Sequence, residues 1–137
     1  MGSILSKEAI VTSEKKAKWI YWVLTAPFGL MVGAGGLALL AGAAPNVEGI
    51  THLGYPVYLC KILGTAKLLD VIAILYGRLE TLKEWAYAGI TFNLLGASAS
   101  HAFSGDGFGK VIVPVIMLGF VLTSYRLWKN PGAKLSA

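Results

Sequence analysis

The sequence predicts an all-α protein, a bundle of four transmembrane helices with both termini in the cytoplasm. Three observations predict it. Of 137 residues, 55% are hydrophobic and only 14% charged, with a mean hydropathy of +0.65, whereas a soluble domain of this size carries about 25% charged residues. Apolar runs recur four times along the chain, each close to the roughly twenty residues that cross a hydrocarbon core, and none alternates as a strand would. Basic residues also gather on one side of these runs: Lys7, Lys15, Lys16 and Lys18 before the first, Arg78 and Lys83 between the second and third, and Arg126, Lys129 and Lys134 after the fourth, against Lys61 and Lys110 on the other side. Such an asymmetry marks the cytoplasmic face.

Residues 1–18 read as a cytoplasmic N-terminal tail, residues 19–129 as the membrane domain and residues 130–137 as a cytoplasmic C-terminal tail, with spans at about 19–43, 57–77, 84–104 and 108–128. Trp19 to Ala44 is 26 residues without a charge, too long for the apolar region of a cleaved signal, so it reads as a retained first span. The opening Met-Gly-Ser-Ile-Leu-Ser fits a short myristoylation pattern, from which an already anchored bundle gains little. Pro27 sets a bend in the first span. Gly29, Gly33, Gly35 and Gly36 follow it and allow a close approach by another helix or a flat ligand.

The longest connection, Ala44 to Pro56, contains Asn46, Glu48, His52 and Tyr55. Its Val47, Ile50, Thr51 and Leu53 suggest a short interfacial helix, stopped by Gly54-Tyr55-Pro56. The short turn from Arg78 to Lys83 makes the second and third spans antiparallel neighbours, and Pro114 is expected to kink the fourth. Trp19, Trp22, Trp85 and Trp128 belt the cytoplasmic interface, while Tyr55, Tyr58, Phe103 and Phe108 belt the opposite one. Lys61 is expected to snorkel. Glu84 begins the third span, where it favours the positive helix end and could meet Lys83, Lys15 or Arg126. Pro131 to Ala137 reads as a disordered tail.

The net charge of +5 does not imply nucleic-acid binding, because the cations sit at segment ends rather than along one stripe. A single cysteine, Cys60, leaves no disulfide and no C-x-x-C couple, so a redox role would need an external cofactor or partner. His52, His101, Asp106 and Cys60 fall near the outer face but follow no ligand spacing, and no metal is expected.

Chemistry is to be sought at Lys67 and Asp70, three residues apart inside the second run. A charge at bilayer depth costs roughly 2.5 to 3.5 kcal/mol on insertion scales, so such residues are paired or put to use. At 100° per residue, Cys60, Leu63, Gly64, Lys67, Asp70, Ile74 and Gly77 share one helix face, and Gly89, Asn93, Gly96, Ala97, Ser100 and His101 share another. In one account these faces are structural. Lys67 and Asp70 neutralise each other, Asn93 bonds a backbone carbonyl, and Gly29, Gly33, Gly36, Gly64, Gly89 and Gly96 let helices pack closely; yet a buried ion pair often costs as much as it returns. In the other account they wall a small pocket or proton-conducting cleft. There Lys67 orients an anionic or carbonyl group, Asp70 exchanges a proton, and His101 lies at the outer mouth, where Ser104 and Asp106 bracket the next turn. The candidate ligand or proton site is therefore Lys67, Asp70, Asn93, Ser100, His101 and Asp106, with no complete catalytic set.

The segments His52-Leu53-Gly54-Tyr55-Pro56, Lys61-Ile62-Leu63-Gly64-x2-Lys67-Leu68-Leu69, Leu82-Lys83-Glu84-Trp85-Ala86-Tyr87-Ala88-Gly89 and Gly96-Ala97-x-Ala99-Ser100-His101 closely resemble the bacterial DoxX-like family of small four-helix membrane proteins, over about residues 19–129. Relatives often end the first span with a polar Ser-Gly-x2-Lys-like segment, where this chain has Gly35-Gly36-Leu37-Ala38-Leu39-Leu40. The resemblance implies a bacterial inner-membrane protein. The wider group looks like a membrane partner in redox chemistry, as in the archaeal thiosulfate:quinone oxidoreductase, and distant animal relatives assist receptor assembly. An accessory or redox-linked subunit binding a quinone-like ligand is thus expected, in contact with membrane lipid and another membrane protein or redox subunit. An assembly factor, or a proton-coupled transporter dimerising through the first span, are the alternatives.

Overall fold

Runs rich in Leu, Ala, Ile and Val, broken only where glycine or proline intervenes, give helices throughout. The computed structural model describes residues 2–130, in which α1 spans Gly2–Ala41, α2 Ala44–His52, α3 Leu59–Tyr76, α4 Glu80–Phe103 and α5 Phe108–Lys129. Gly77 closes α3 in the left-handed conformation (φ 64°), its N–H bonded to the Ala73 carbonyl, a geometry that favours glycine. Gly54 (φ 86°) follows α2, the short helix expected in the first connection. The expected disorder of Pro131 to Ala137 lies outside the described residues.

The all-α class holds, with no strand among the described residues, but the four-span bundle does not. Among the described residues there are five helices, and two of them are long and apolar enough to cross a membrane by length and composition: α1, over Ser6–Ala41, and α5, over Phe108–Lys129. The second expected span shortens to 18 residues that carry Lys61, Lys67 and Asp70. The third becomes α4, diluted by Glu80, Lys83 and Glu84 at its start and by Asn93, Ser98, Ser100 and His101 further on. Reading each apolar run as a span passed over these polar positions, which tertiary packing accommodates instead. Both α1 and α5 remain continuous through Pro27 and Pro114. At about 1.5 Å per residue the 40 residues of α1 reach roughly 60 Å, about twice a hydrocarbon core, and residues 6–12 are exposed.

The four long helices form a ring in which α1 and α4 each pack on both α3 and α5. The main core joins Ile74 of α3, Ala86, Tyr87, Ile90 and Leu94 of α4, and Val121 of α5. A second cluster joins Ala17 and Tyr21 of α1 to Leu127 of α5, so the start and finish of the bundle lie at one end. Aromatic groups seal that end: Tyr87 stacks on Trp128 (5.8 Å, 16°) and meets Tyr125 edge-on at 5.3 Å. Lys83, only 4% exposed, sets its ammonium 4.8 Å from the Tyr21 ring centre and 4.5 Å from that of Trp128. Cation–π attraction there ties α1, α4 and α5 together. Nearby, the buried Ser124 hydroxyl shares hydrogen bonds with Thr25 (2.6 Å) and Tyr87 (2.7 Å), which pairs these three hydroxyls, while the buried Tyr21 hydroxyl has no hydrogen-bond partner among the described residues.

Glycine sets the spacing of α1 and α3. A Cβ at Gly64 would lie 2.7 Å from the Gly36 carbonyl oxygen and 3.0 Å from the Leu40 nitrogen, both backbone atoms, whereas at Gly35 it would meet nothing within 4 Å. Gly64→Ala is therefore expected to force the helices apart and destabilise the protein by about 1–3 kcal/mol. Gly35→Ala is expected to be neutral or to stabilise by up to about 1 kcal/mol. Thermal unfolding of the two variants in detergent checks the contrast.

A candidate functional site under helix α2

Polar positions on α3 and α4 face a cleft of about 500 Å³. Asn46, Gly49, Ile50 and Leu53 of α2 contribute to it from one side, Leu63 and Lys67 from α3, and Asn93, Gly96, Ser100 and His101 from α4. Phe92, which also lines it, is 72% exposed, so the cleft opens sideways between the helices rather than being sealed inside the ring. A second cleft of about 410 Å³ is lined by Asp70 and Gly89 and shares Lys67, Phe92 and Asn93 with the first.

Of the residues expected from the sequence, Lys67, Asn93, Ser100 and His101 line the first cleft, Asp70 lines only the second, and Asp106 stands behind His101. The expected ion pair is absent: Lys67 and Asp70 form no salt bridge within 4.0 Å. The reason lies in helix geometry. A side chain leans toward the N-terminus of its helix, so a lysine placed before an aspartate extends away from it. Asp70 instead lies against Gly89, where a Cβ would sit 3.3 Å from both carboxylate oxygens. Glu84 meets Lys129, which also bonds Glu80 at 3.0 Å, rather than Lys83, Lys15 or Arg126.

At the outer end the structure adds a clamp. His101 donates from Nδ1 to Asp106 Oδ2 at 2.7 Å, and His52, at the end of α2, donates from Nε2 to Asp106 Oδ1 at 2.8 Å; Lys110 stands 4.0 Å from Oδ1. One carboxylate thus ties α2 to α4 and to the start of α5. Tyr55 fastens the same region, its hydroxyl 2.7 Å from that of Ser100. The part played by His52 and Tyr55 depends on pairings 54 and 45 residues distant in sequence, which helical periodicity does not report. The hydrogen bonds from His101 and then His52 hold the Asp106 carboxyl down at about 2.

Chemically, the first cleft offers an ammonium at Lys67, an amide at Asn93, hydroxyls at Tyr55 and Ser100, and an imidazole at His101 against mostly apolar walls. That composition suits a flat or compact apolar group bearing a few oxygens. The sequence matches the family described as DoxX-like over residues 23–124. No curated protein and no solved structure matches it.

Because Lys67 and Asp70 are separate, a double-mutant cycle of Lys67→Met and Asp70→Leu read by thermal unfolding is expected to give a coupling below about 0.5 kcal/mol; a coupling of 2 kcal/mol or so would restore the pair. For Asp106 the folded pKa lies below that of an unfolded aspartate, about 3.9. Its contribution to stability is therefore complete above about pH 4 and is lost as the pH falls toward about 2. Melting temperature measured from pH 6 to pH 2 is expected to drop more steeply in this window for the wild type than for Asp106→Asn.

Proposed function

The chain belongs to the DoxX-like family, and from that premise we propose that it is an accessory or redox-linked membrane subunit holding a small hydrophobic, quinone-like head group in the cleft between α3 and α4. The family and the two apolar helices make it a membrane-associated protein. The observation that carries the proposal is Lys67. Among the described residues the other partly or fully buried lysines have partners: Lys83 lies over Tyr21 and Trp128, and Lys129 is bonded to Glu80 and Glu84. Lys67 lines both clefts with no acid within 4.0 Å. A cation kept in such a place without a counterion is available to an oxygen of a bound molecule.

The sideways opening past the exposed Phe92 supports a lateral route for an amphiphile into the cleft. Roughly 500 Å³ is within the range for a single small ligand. Both ends of the bundle lie together and the cations concentrate there, which supports a bacterial inner membrane with both termini cytoplasmic. The expected contacts are membrane lipid and another membrane protein or redox subunit. Dimerisation through the glycines of α1 is less favoured, because Gly29 and Gly33 face Leu75 and Val71 of α3.

The test is calorimetric titration of the purified protein in lipid nanodiscs with decylubiquinone. Saturable binding is expected, weakened about tenfold by Lys67→Leu through loss of one charge-assisted hydrogen bond. Absence of saturable binding, or unchanged affinity in the variant, would overturn the proposal.

A further inference from the structure

Hydrogen bonding to Asp106 fixes how His101 presents itself. A carboxylate only accepts, so the imidazole nitrogen facing it, Nδ1, carries the hydrogen. The remaining nitrogen, Nε2, is then an acceptor whenever the ring is neutral. It has no hydrogen-bond partner among the described residues and is not enclosed, while the ring itself lines the cleft. At the other end of the polar set stands the Lys67 ammonium, which can only donate. The cleft therefore offers one committed donor on α3 and one committed acceptor on α4.

We infer that the cleft selects the reduced, hydroxyl-bearing form of its aromatic ligand, with the hydroxyl donating to His101 Nε2 while the Lys67 ammonium meets a second ring oxygen. The inference rests on the quinone-like reading of the cleft and adds to it the redox form that is held. An oxidised ring has only acceptor oxygens, which can accept from Lys67 or from the Asn93 amide but offer nothing to Nε2, so that nitrogen is left unpaired against the ligand, a mismatch that disfavours the oxidised form. A hydroxyl at that end satisfies it. Asp106 is the positioning residue, because it sets the ring tautomer and would stabilise any positive charge that develops on it.

The charged and titratable groups around this ring are Asp106 on the α4–α5 turn, His52 on α2, Tyr55 on the α2–α3 connection, Lys67 on α3 and Lys110 on α5. None of them besides Asp106 is a carboxylate. The depressed Asp106 carboxyl, about 2, keeps that group an acceptor at pH 8, which maintains the tautomer.

The experiment compares decylubiquinol with decylubiquinone by calorimetry on the full chain in nanodiscs at pH 8, under anaerobic conditions. Wild type is expected to bind the reduced form about tenfold more tightly. His101→Asn keeps an amide donor where Nδ1 was and removes Nε2. It is expected to abolish the preference, so that the two forms bind the variant with affinities within about twofold of each other. In ¹⁵N spectra of histidine-labelled protein, His101 is expected as the Nδ1–H tautomer, and Asp106→Asn to yield a mixture. Equal binding of the two forms by wild type, a preference that survives in His101→Asn, or an Nε2–H tautomer would each overturn the inference and leave the ligand class standing. Failure of either form to bind would remove both.

Discussion

The close contact between α1 and α3 at Gly36 and Gly64 governs what the rest of the molecule can do. A Cβ at Gly36 would sit 3.0 Å from the Gly64 carbonyl oxygen and 3.1 Å from the Lys67 Cβ, so the two backbones and the root of the lysine are locked in one arrangement. That contact fixes the rotation of α3. With its small-residue face committed to α1, α3 turns Lys67 along the edge of the interface and into the space beside α4. Bulkier residues at the crossing would separate the helices and rotate the lysine out of the cleft, since interdigitated surfaces do not deform continuously.

The two ends of the bundle solve opposite problems. At the end that holds both termini, Lys83 is buried against aromatic faces and the hydroxyls of Thr25, Tyr87 and Ser124 satisfy one another. Lys83 has its aromatic partners there, and the one buried tyrosine hydroxyl of that end left without a hydrogen bond among the described residues is that of Tyr21. At the α2 end the polar groups are convergent but incompletely used. Lys67 has no acid, His101 spends one nitrogen on Asp106, and Ser100 is held by Tyr55. Unspent hydrogen-bonding capacity in an apolar setting is costly to maintain without a ligand or water, and more of it is gathered at the α2 end.

How much of this could be read from the sequence depends on the range of the interaction concerned. Helical periodicity put Lys67, Asn93, Ser100 and His101 on facing surfaces, and the structure gathers all of them at one cleft. The proximity of His101 and Asp106 was legible because only five residues separate them. Spacing misled for Lys67 and Asp70, since three residues bring Cα atoms to one side without making the side chains meet; the lean of the lysine decides that. Span counting failed at α3 and α4 for a related reason: overall apolarity was weighed, while the polar positions it averaged over proved to be the lining of the cleft. His52, Tyr55 and the cage around Lys83 depend on tertiary contacts that no local pattern encodes.

The clamp at Asp106 explains why α2 belongs to the site although none of its residues is buried. A nine-residue helix is too short to be stable in isolation, and α2 has no side-chain cap at its N-terminus. Its hold on the bundle comes from packing on α3 and α1 and from His52 bonded to Asp106 at its C-terminal end. The same carboxylate orients His101, so covering the cleft and setting the hydrogen-bonding character of its wall are not independent. A change that released His52 would leave Asp106 bonded to His101 alone and loosen α2 over the Lys67 side of the opening, whereas loss of Asp106 would free both at once. The position of α2 and the tautomer facing the cleft are therefore coupled through one residue.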